Sequence, residues 1–131
     1  AEASLNTVLA NYCEVTGSSI EAPRAFDIVV LGMGVDGHTA SFFPDAVNVT
    51  ELIDINAHSP LLTCRSPSAQ VERVTWSLPR LLGAHFLALH ITGGTKKEVF
   101  QRAAMGGATQ ALPIRSVVFQ NRTPLHVYYA H

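Results

Sequence analysis

The stretch "FDIVVLGMGVDGHTA", residues 26–40, joins an apolar run to a turn that holds three glycines. The run is short, rich in β-branched residues and almost continuously apolar, which is typical of a parallel strand covered on both faces. A second run of this kind, "AHFLALHITGG" at residues 84–94, also ends in a glycine turn. Ligands of parallel α/β sheets bind beyond the carboxyl ends of the strands, so both turns are candidate binding segments.

Helical patterns alternate with these strands. Residues 1–17 repeat apolar side chains at the spacing i, i+3, i+4, i+7, which predicts a helix that ends at its glycine. Residues 95–107 predict a second helix that ends at a glycine pair. Shorter strands are expected at residues 61–64, around Val117 and around Val127. Strands that alternate with helices predict a layered α/β fold with a mainly parallel sheet.

Length and composition agree with one α/β domain over residues 1–131. Hydrophobic residues make up 47% of the chain, charged residues 15%, and the net charge is −1. This balance argues against nucleic-acid and membrane partners, and no apolar stretch approaches membrane-spanning length. Cys13 and Cys64 form no C-x-x-C pair, which predicts free thiols in a reducing compartment and a cytoplasmic location.

The first glycine turn allows two interpretations. Gly32, Gly34 and Gly37 have the G-x-G-x-x-G spacing of a dinucleotide fingerprint. That fingerprint requires a long helix after the third glycine, and Pro44 would end such a helix after a turn or two. The nucleotide interpretation is therefore the weaker one.

The alternative is that the turn presents His38. Glycines at positions 34 and 37 let the backbone turn tightly and expose amide groups that can hold an anion, including a reaction oxyanion. A histidine at the edge of such a turn can act as a general base near neutral pH. Asp36 stands two residues before His38 and is a candidate to orient its ring.

Other chemistries find little support. The histidines lack H-x-H or H-E-x-x-H spacing, so no metal site is predicted, and no G-x-S-x-G elbow indicates a serine hydrolase. The aromatic residues Phe42, Phe43 and Trp76 are assigned to the core.

The segment "FDIVVLGMGVDGHTASFFPD", residues 26–45, resembles the signature of the 6-phosphogluconolactonases. The resemblance continues through "ERVTWSLP", "HITGGTKKEVFQRA" and "LPIRSVVFQNRTPLHVYYAH". It implies a Rossmann-like three-layer sandwich, related to the glucosamine-6-phosphate isomerases and deaminases. Those relatives continue after Asp-Gly-His to Ala-Phe-Asn-Glu-Pro, where this chain has "TASFFP". The lactonase is therefore the better match.

The resemblance implies hydrolysis of 6-phospho-D-glucono-1,5-lactone to 6-phosphogluconate, a step of the pentose phosphate pathway, without metal or cofactor. His38 falls on the family's general base, and the amides around Gly34 and Gly37 are candidates to bind the oxyanion. Lys96 falls on the lysine of a Gly-x-x-Lys turn and is expected to bind the phosphate. A lysine at a helix start opposes the helix dipole, and a bound phosphate would reverse that penalty. Arg73 matches a further family arginine and is a candidate substrate ligand.

The family's N-terminal half, with its Gly-Gly-Ser-Thr-Pro loop and Asp-Glu-Arg segment, has no counterpart in these residues. We therefore expect that residues 1–131 are the C-terminal part of a longer lactonase chain. Whether this part is active alone is left open. Two alternatives remain: a catalytically silent phosphosugar-binding or interaction module, and a glucosamine-6-phosphate deaminase-like isomerase. The oligomeric state is also open.

Overall fold

The computed structural model describes residues 2–131 of the chain. Its helices and strands alternate along most of the sequence, as the periodicity predicts. In chain order the elements are α1 (Glu2–Thr16), β1 (Ile28–Leu31), α2 (Val49–Leu52), β2 (Leu61–Cys64), β3 (Arg73–Trp76), α3 (Leu78–Leu82), β4 (Phe86–Thr92), α4 (Gly94–Ala104), α5 (Arg115–Val118) and β5 (Leu125–Ala130).

The central feature is a three-stranded parallel sheet in the order β1-β4-β5. Leu31, the last residue of β1, lies opposite Leu89, so β4 continues three residues beyond its neighbour, to Thr92. Both strands end at the same edge of the sheet, which brings their two glycine turns to that edge. Strands β2 and β3 form a separate antiparallel pair. The predicted α/β class with a mainly parallel sheet is confirmed.

One face of the sheet carries the core. Alternate residues of β1 and β4, among them Leu31, Leu87 and Leu89, are buried in one hydrophobic core with residues of α2, α3, α4 and α5. On the opposite face Ile28 and Val30 are 65% and 66% exposed. Of the three layers predicted for the sandwich, residues 2–131 therefore supply the sheet and the layer on one of its faces.

Two helices agree with the sequence pattern. Helix α1 covers the predicted segment from its second residue, since Ala1 lies outside the described residues, and Gly17 follows it with φ +67°. Helix α4 buries Val99 and Ala103 on one side, as the spacing predicts. The glycine therefore ends α1 in the left-handed conformation that non-glycine residues rarely adopt.

The strand predicted around Val117 is wrong, because this segment forms the short helix α5. Ile114 and Val117 are three residues apart and both fully buried, so a helical turn puts them on one side, towards the core. A strand would place these two residues on opposite faces and leave one exposed. Tertiary packing thus overrides the β-propensity of the β-branched residues.

Candidate active site

The first glycine turn follows β1 directly and closes on itself. The Gly34 amide donates to the His38 carbonyl at 2.9 Å, and the Gly37 amide donates to the Gly34 carbonyl at 3.0 Å. The buried Thr39 hydroxyl donates to the Gly32 carbonyl at 2.7 Å and joins the two ends of the turn. No helix begins in residues 38–48, so the helix N-terminus that a dinucleotide requires is missing from this segment.

The turn holds His38 and Asp36 against each other. His38 Nδ1 lies 2.5 Å from Asp36 Oδ1, and the His38 backbone amide donates to the same oxygen at 3.1 Å. An ionised carboxylate only accepts hydrogen bonds, so the neutral tautomer of the imidazole that fits this contact carries its proton on Nδ1 and a free lone pair on Nε2. The His38 side chain is 30% exposed, so a molecule in solution can reach its ring.

Glycine is required at positions 34 and 37 for different reasons. A Cβ on Gly34 would lie 2.3 Å from His38 Cε1 and 2.7 Å from Asp36 Oδ1. Gly37 has φ +81°, and a Cβ there would lie 2.6 Å from a methyl group of Leu112. Gly34 therefore makes room for the histidine–aspartate pair, and Gly37 allows the left-handed backbone and the close approach of the next segment.

The amides of Gly34 and Gly37 are hydrogen-bonded within the turn itself. Both donate to carbonyls inside the turn, so in this conformation neither is free to bind an oxyanion. Within the described part of the chain, the amides of Val35 and Asp36 donate to no protein acceptor. A contact between substrate and Gly34 or Gly37 stays a prediction.

An aromatic ring lies next to the histidine. Phe43 stacks on His38 with ring centroids 4.2 Å apart and planes inclined by 20°. The guanidinium of Arg73, at the start of β3, lies 5.5 Å from the centroid of the same phenyl ring. Sequence reasoning assigned Phe43 to the core and missed this contact, because no periodic pattern links a phenylalanine to a histidine five residues earlier in a turn.

Asp45 fastens the β2–β3 hairpin to the loop that follows the glycine turn. Its carboxylate accepts hydrogen bonds from the hydroxyl of Ser66, and from the hydroxyl and amide of Ser68 at 2.8 and 2.9 Å. Hydrogen bonds from these two serines hold the pKa of the Asp45 carboxyl below its ordinary value of 3.8. Since Arg73 lies in this hairpin, the contact helps to keep Arg73 near Phe43.

The second glycine turn leads into α4. Gly93 precedes the helix with φ +87°, and Lys96 is the third helical residue, half-buried and without an ion pair among the described side chains. Lys97 differs, because its ammonium lies 5.1 Å from the centre of the Tyr129 ring. The first turn of α4 has no acidic residue. The structure therefore leaves the Lys96 charge open to an anion at the sheet edge that also carries the His38 turn.

Metal-binding and membrane-spanning features are absent from residues 2–131. Their His, Cys, Asp and Glu side chains form no group of three or more that could hold a metal ion, and none of their helices is long and apolar enough to span a bilayer. Cys13 and Cys64 are buried free thiols, as predicted. Burial raises the pKa of the Cys64 thiol, so this thiol stays protonated and unreactive.

These features define the class of protein. It is an α/β domain with a histidine–aspartate pair beyond the carboxyl end of a parallel strand and, among the described residues, an unpaired lysine at the neighbouring turn. Residues 1–126 match the family described as glucosamine-6-phosphate isomerases/6-phosphogluconolactonase, and the chain belongs to this family.

Individual relatives agree with this assignment. The chain is 44% identical over 108 residues to a 6-phosphogluconolactonase of Mesorhizobium japonicum, covering 82% of this chain and 44% of that protein. It is 40% identical over 113 residues to one of Rhizobium meliloti, covering 86% and 48%. A crystal structure of a 6-phosphogluconolactonase from Shewanella baltica superposes with a TM-score of 0.78 at 34% identity, covering 83% and 46%. The chain thus spans about half the length of these relatives.

Proposed function

We propose that this chain is the part of a 6-phosphogluconolactonase that contains the general base. The enzyme hydrolyses 6-phospho-D-glucono-1,5-lactone to 6-phosphogluconate in the pentose phosphate pathway. One observation carries the proposal: Asp36 holds His38 Nδ1 at 2.5 Å, which leaves Nε2 free on a ring that solvent reaches. The family assignment and the relatives named 6-phosphogluconolactonase support the substrate.

The reaction follows from this pair. His38 Nε2 takes a proton from a water molecule, and the water oxygen bonds to the lactone carbonyl carbon. The carbonyl electrons move to oxygen and form a tetrahedral oxyanion, which the amides of Val35 and Asp36 are available to stabilise. The oxyanion then collapses, the bond from the carbonyl carbon to the ring oxygen breaks, and the proton on Nε2 passes to that oxygen. Asp36 stabilises the imidazolium throughout, and no metal or cofactor takes part.

Two cationic side chains are candidates to bind the substrate phosphate. Lys96 has no competing carboxylate among the described side chains, and it stands in the first turn of α4, where the helix dipole also attracts anions. Arg73 is exposed beside Phe43 and offers a second cation. Gly34 and Gly37 are proposed to contact the substrate through the turn between them, where the amides of Val35 and Asp36 donate to no protein acceptor among the described residues. The partner is thus a small phosphosugar lactone, and the free buried thiols suit a cytoplasmic location.

The test is turnover of freshly made 6-phosphogluconolactone, with spontaneous hydrolysis subtracted, by the protein as its source makes it and by this chain alone. His38→Asn keeps a side chain that tolerates turns and lacks the base, so we expect kcat to fall about 10²–10⁴-fold. His85→Asn, an exposed position just before β4 at the opposite edge of the sheet from the turn, is the matched control and should keep full activity.

Two outcomes would contradict the proposal. Full turnover by His38→Asn removes the histidine from the chemistry. Binding of 6-phosphogluconate without turnover in the source protein indicates the silent phosphosugar-binding module instead.

A further inference from the structure

Phe43 is a buried neighbour of the proposed base. Its side chain is only 7% exposed, and its ring lies flat against the imidazole of His38, with centroids 4.2 Å apart and planes inclined by 20°. Packing thus fixes the phenyl ring, whereas His38 itself is partly exposed and has room to move.

The two contacts of His38 restrain different motions. The hydrogen bond from Nδ1 to Asp36 fixes one ring atom, and by itself it leaves the imidazole able to pivot about that contact. A flat stack against a buried ring removes the pivot, because tilting the imidazole would either open a gap or collide with the phenyl face. The direction of Nε2 is therefore set by Asp36 and Phe43 together.

The same phenyl ring also lies close to Arg73, the candidate substrate ligand on β3. The Arg73 guanidinium lies 5.5 Å from its centroid, within the range of a cation–π contact, and Arg73 forms no ion pair among the described side chains. Phe43 is thus the shared neighbour of a residue from the glycine turn and a residue from β3.

We propose that Phe43 is a positioning residue that aims His38 Nε2 at the attacking water and steadies Arg73 for the substrate. This inference rests on the proposed function, since it assigns a role towards the same reaction. It also predicts a fixed orientation of the His38 ring on Phe43, which can be measured without any turnover.

The decisive variant is Phe43→Leu, which keeps an apolar side chain and removes the flat ring. We expect kcat to fall about tenfold, because Asp36 still holds Nδ1 while Nε2 no longer stays oriented towards the attacking water. KM should rise about two- to fivefold, the worth of one exposed cation–π contact. Phe43→Tyr keeps the aromatic face and should restore most of both parameters.

The matched control is Phe42→Leu, which removes a fully buried phenyl ring from the adjacent position. It tests the effect of losing core packing alone, because Phe42 has no ring contact with His38 among the described residues. Kinetics of all variants are measured on the protein as its source makes it, at a temperature where circular dichroism shows each one folded.

A second measurement follows the His38 ring directly by NMR. Stacking on a phenyl face displaces the ring-proton resonances of the histidine upfield, and His38→Asn identifies these signals by their loss. We expect Phe43→Leu to remove the upfield displacement and Phe42→Leu to leave it in place.

The results can refute the positioning role of Phe43 separately from the proposed function. If His38→Asn abolishes turnover while Phe43→Leu matches Phe42→Leu in kcat and in the His38 resonances, the positioning role is refuted and the proposed function stands. If His38→Asn keeps full turnover, the proposed function fails and the role of Phe43 in it fails too.

Discussion

Substituting Gly34 by alanine tests whether the turn exists to hold the His38–Asp36 pair. A Cβ at this position would lie 2.3 Å from His38 Cε1 and 2.4 Å from Nδ1, whereas ordinary contact begins at 3.4 Å. The imidazole must therefore withdraw by about 1.1 Å, the difference between 3.4 and 2.3 Å. Asp36 Oδ1, 2.7 Å from the same Cβ, must withdraw as well, so the hydrogen bond between the two side chains, now 2.5 Å long, would lose its present geometry.

This displacement of the imidazole should lower the catalytic rate and leave the free energy of unfolding almost unchanged. A displacement of about 1 Å in a catalytic group can cost about 10²-fold in rate, or about 2.7 kcal/mol of transition-state stabilisation. The colliding atoms belong to ends of partly exposed side chains, which can rotate towards solvent. An altered rotamer costs about 0.5–1.5 kcal/mol, so the variant should fold normally.

Gly32→Ala is the matched control in the same turn. A Cβ on Gly32 meets nothing within 4 Å, and neither Gly32 nor Gly34 needs a positive φ. Lactonase rates of both variants and the wild type are compared after subtraction of spontaneous hydrolysis, with urea unfolding to confirm equal stability. Equal rates for Gly34→Ala and Gly32→Ala would refute the argument that the pair must stay in its observed place.

Three further predictions concern binding and stability. Lys96→Ala should weaken 6-phosphogluconate binding tenfold or more in calorimetry, since a charge-assisted contact is worth about 1.5–3 kcal/mol, and Lys97→Ala should change it little. Asp45→Asn should lower the thermal midpoint at neutral pH. Because the folded-state pKa of Asp45 is lowered, its stabilisation is present above pH 3.8 and lost as pH falls further, so the two midpoints should converge in acid. Arg115→Met should cost about 2–3 kcal/mol in urea unfolding, because the buried guanidinium donates to the carbonyl of Ala108 at 2.7 Å and to carbonyls at the end of α4. An unchanged affinity, a midpoint gap that persists in strong acid, or wild-type unfolding would contradict these three predictions in turn.

Much of the local structure follows from the order of residues. The strands β1 and β4 and the helices α1 and α4 come from apolar patterns of four to fifteen neighbouring residues, and a glycine marks an end of each of these four elements. Weak patterns predict less: α5 has the composition of a strand, and α2 and α3 are single turns that only packing makes helical.

For the candidate site too, the sequence predicts one part and only the folded structure shows the rest. Asp36 and His38 are two residues apart, so a tight turn between them is enough to suggest that their side chains meet. The use of the Gly34 and Gly37 amides inside the turn depends on backbone angles that side-chain identities do not determine. Their availability to an oxyanion could therefore be judged only from the folded backbone.

The sequence by itself determined the α/β class, the family, the two glycine turns at strand ends and the residues worth testing, because each rests on short-range periodicity or on a motif. The tertiary structure alone decided the strand order, the exposed second face of the sheet and the position of Phe43 as a neighbour of both His38 and Arg73. Arg73 is thirty residues from Phe43 along the chain. Such a contact arises from the packing of the β2–β3 hairpin onto the turn, and packing between distant segments leaves no periodic signal in a single sequence.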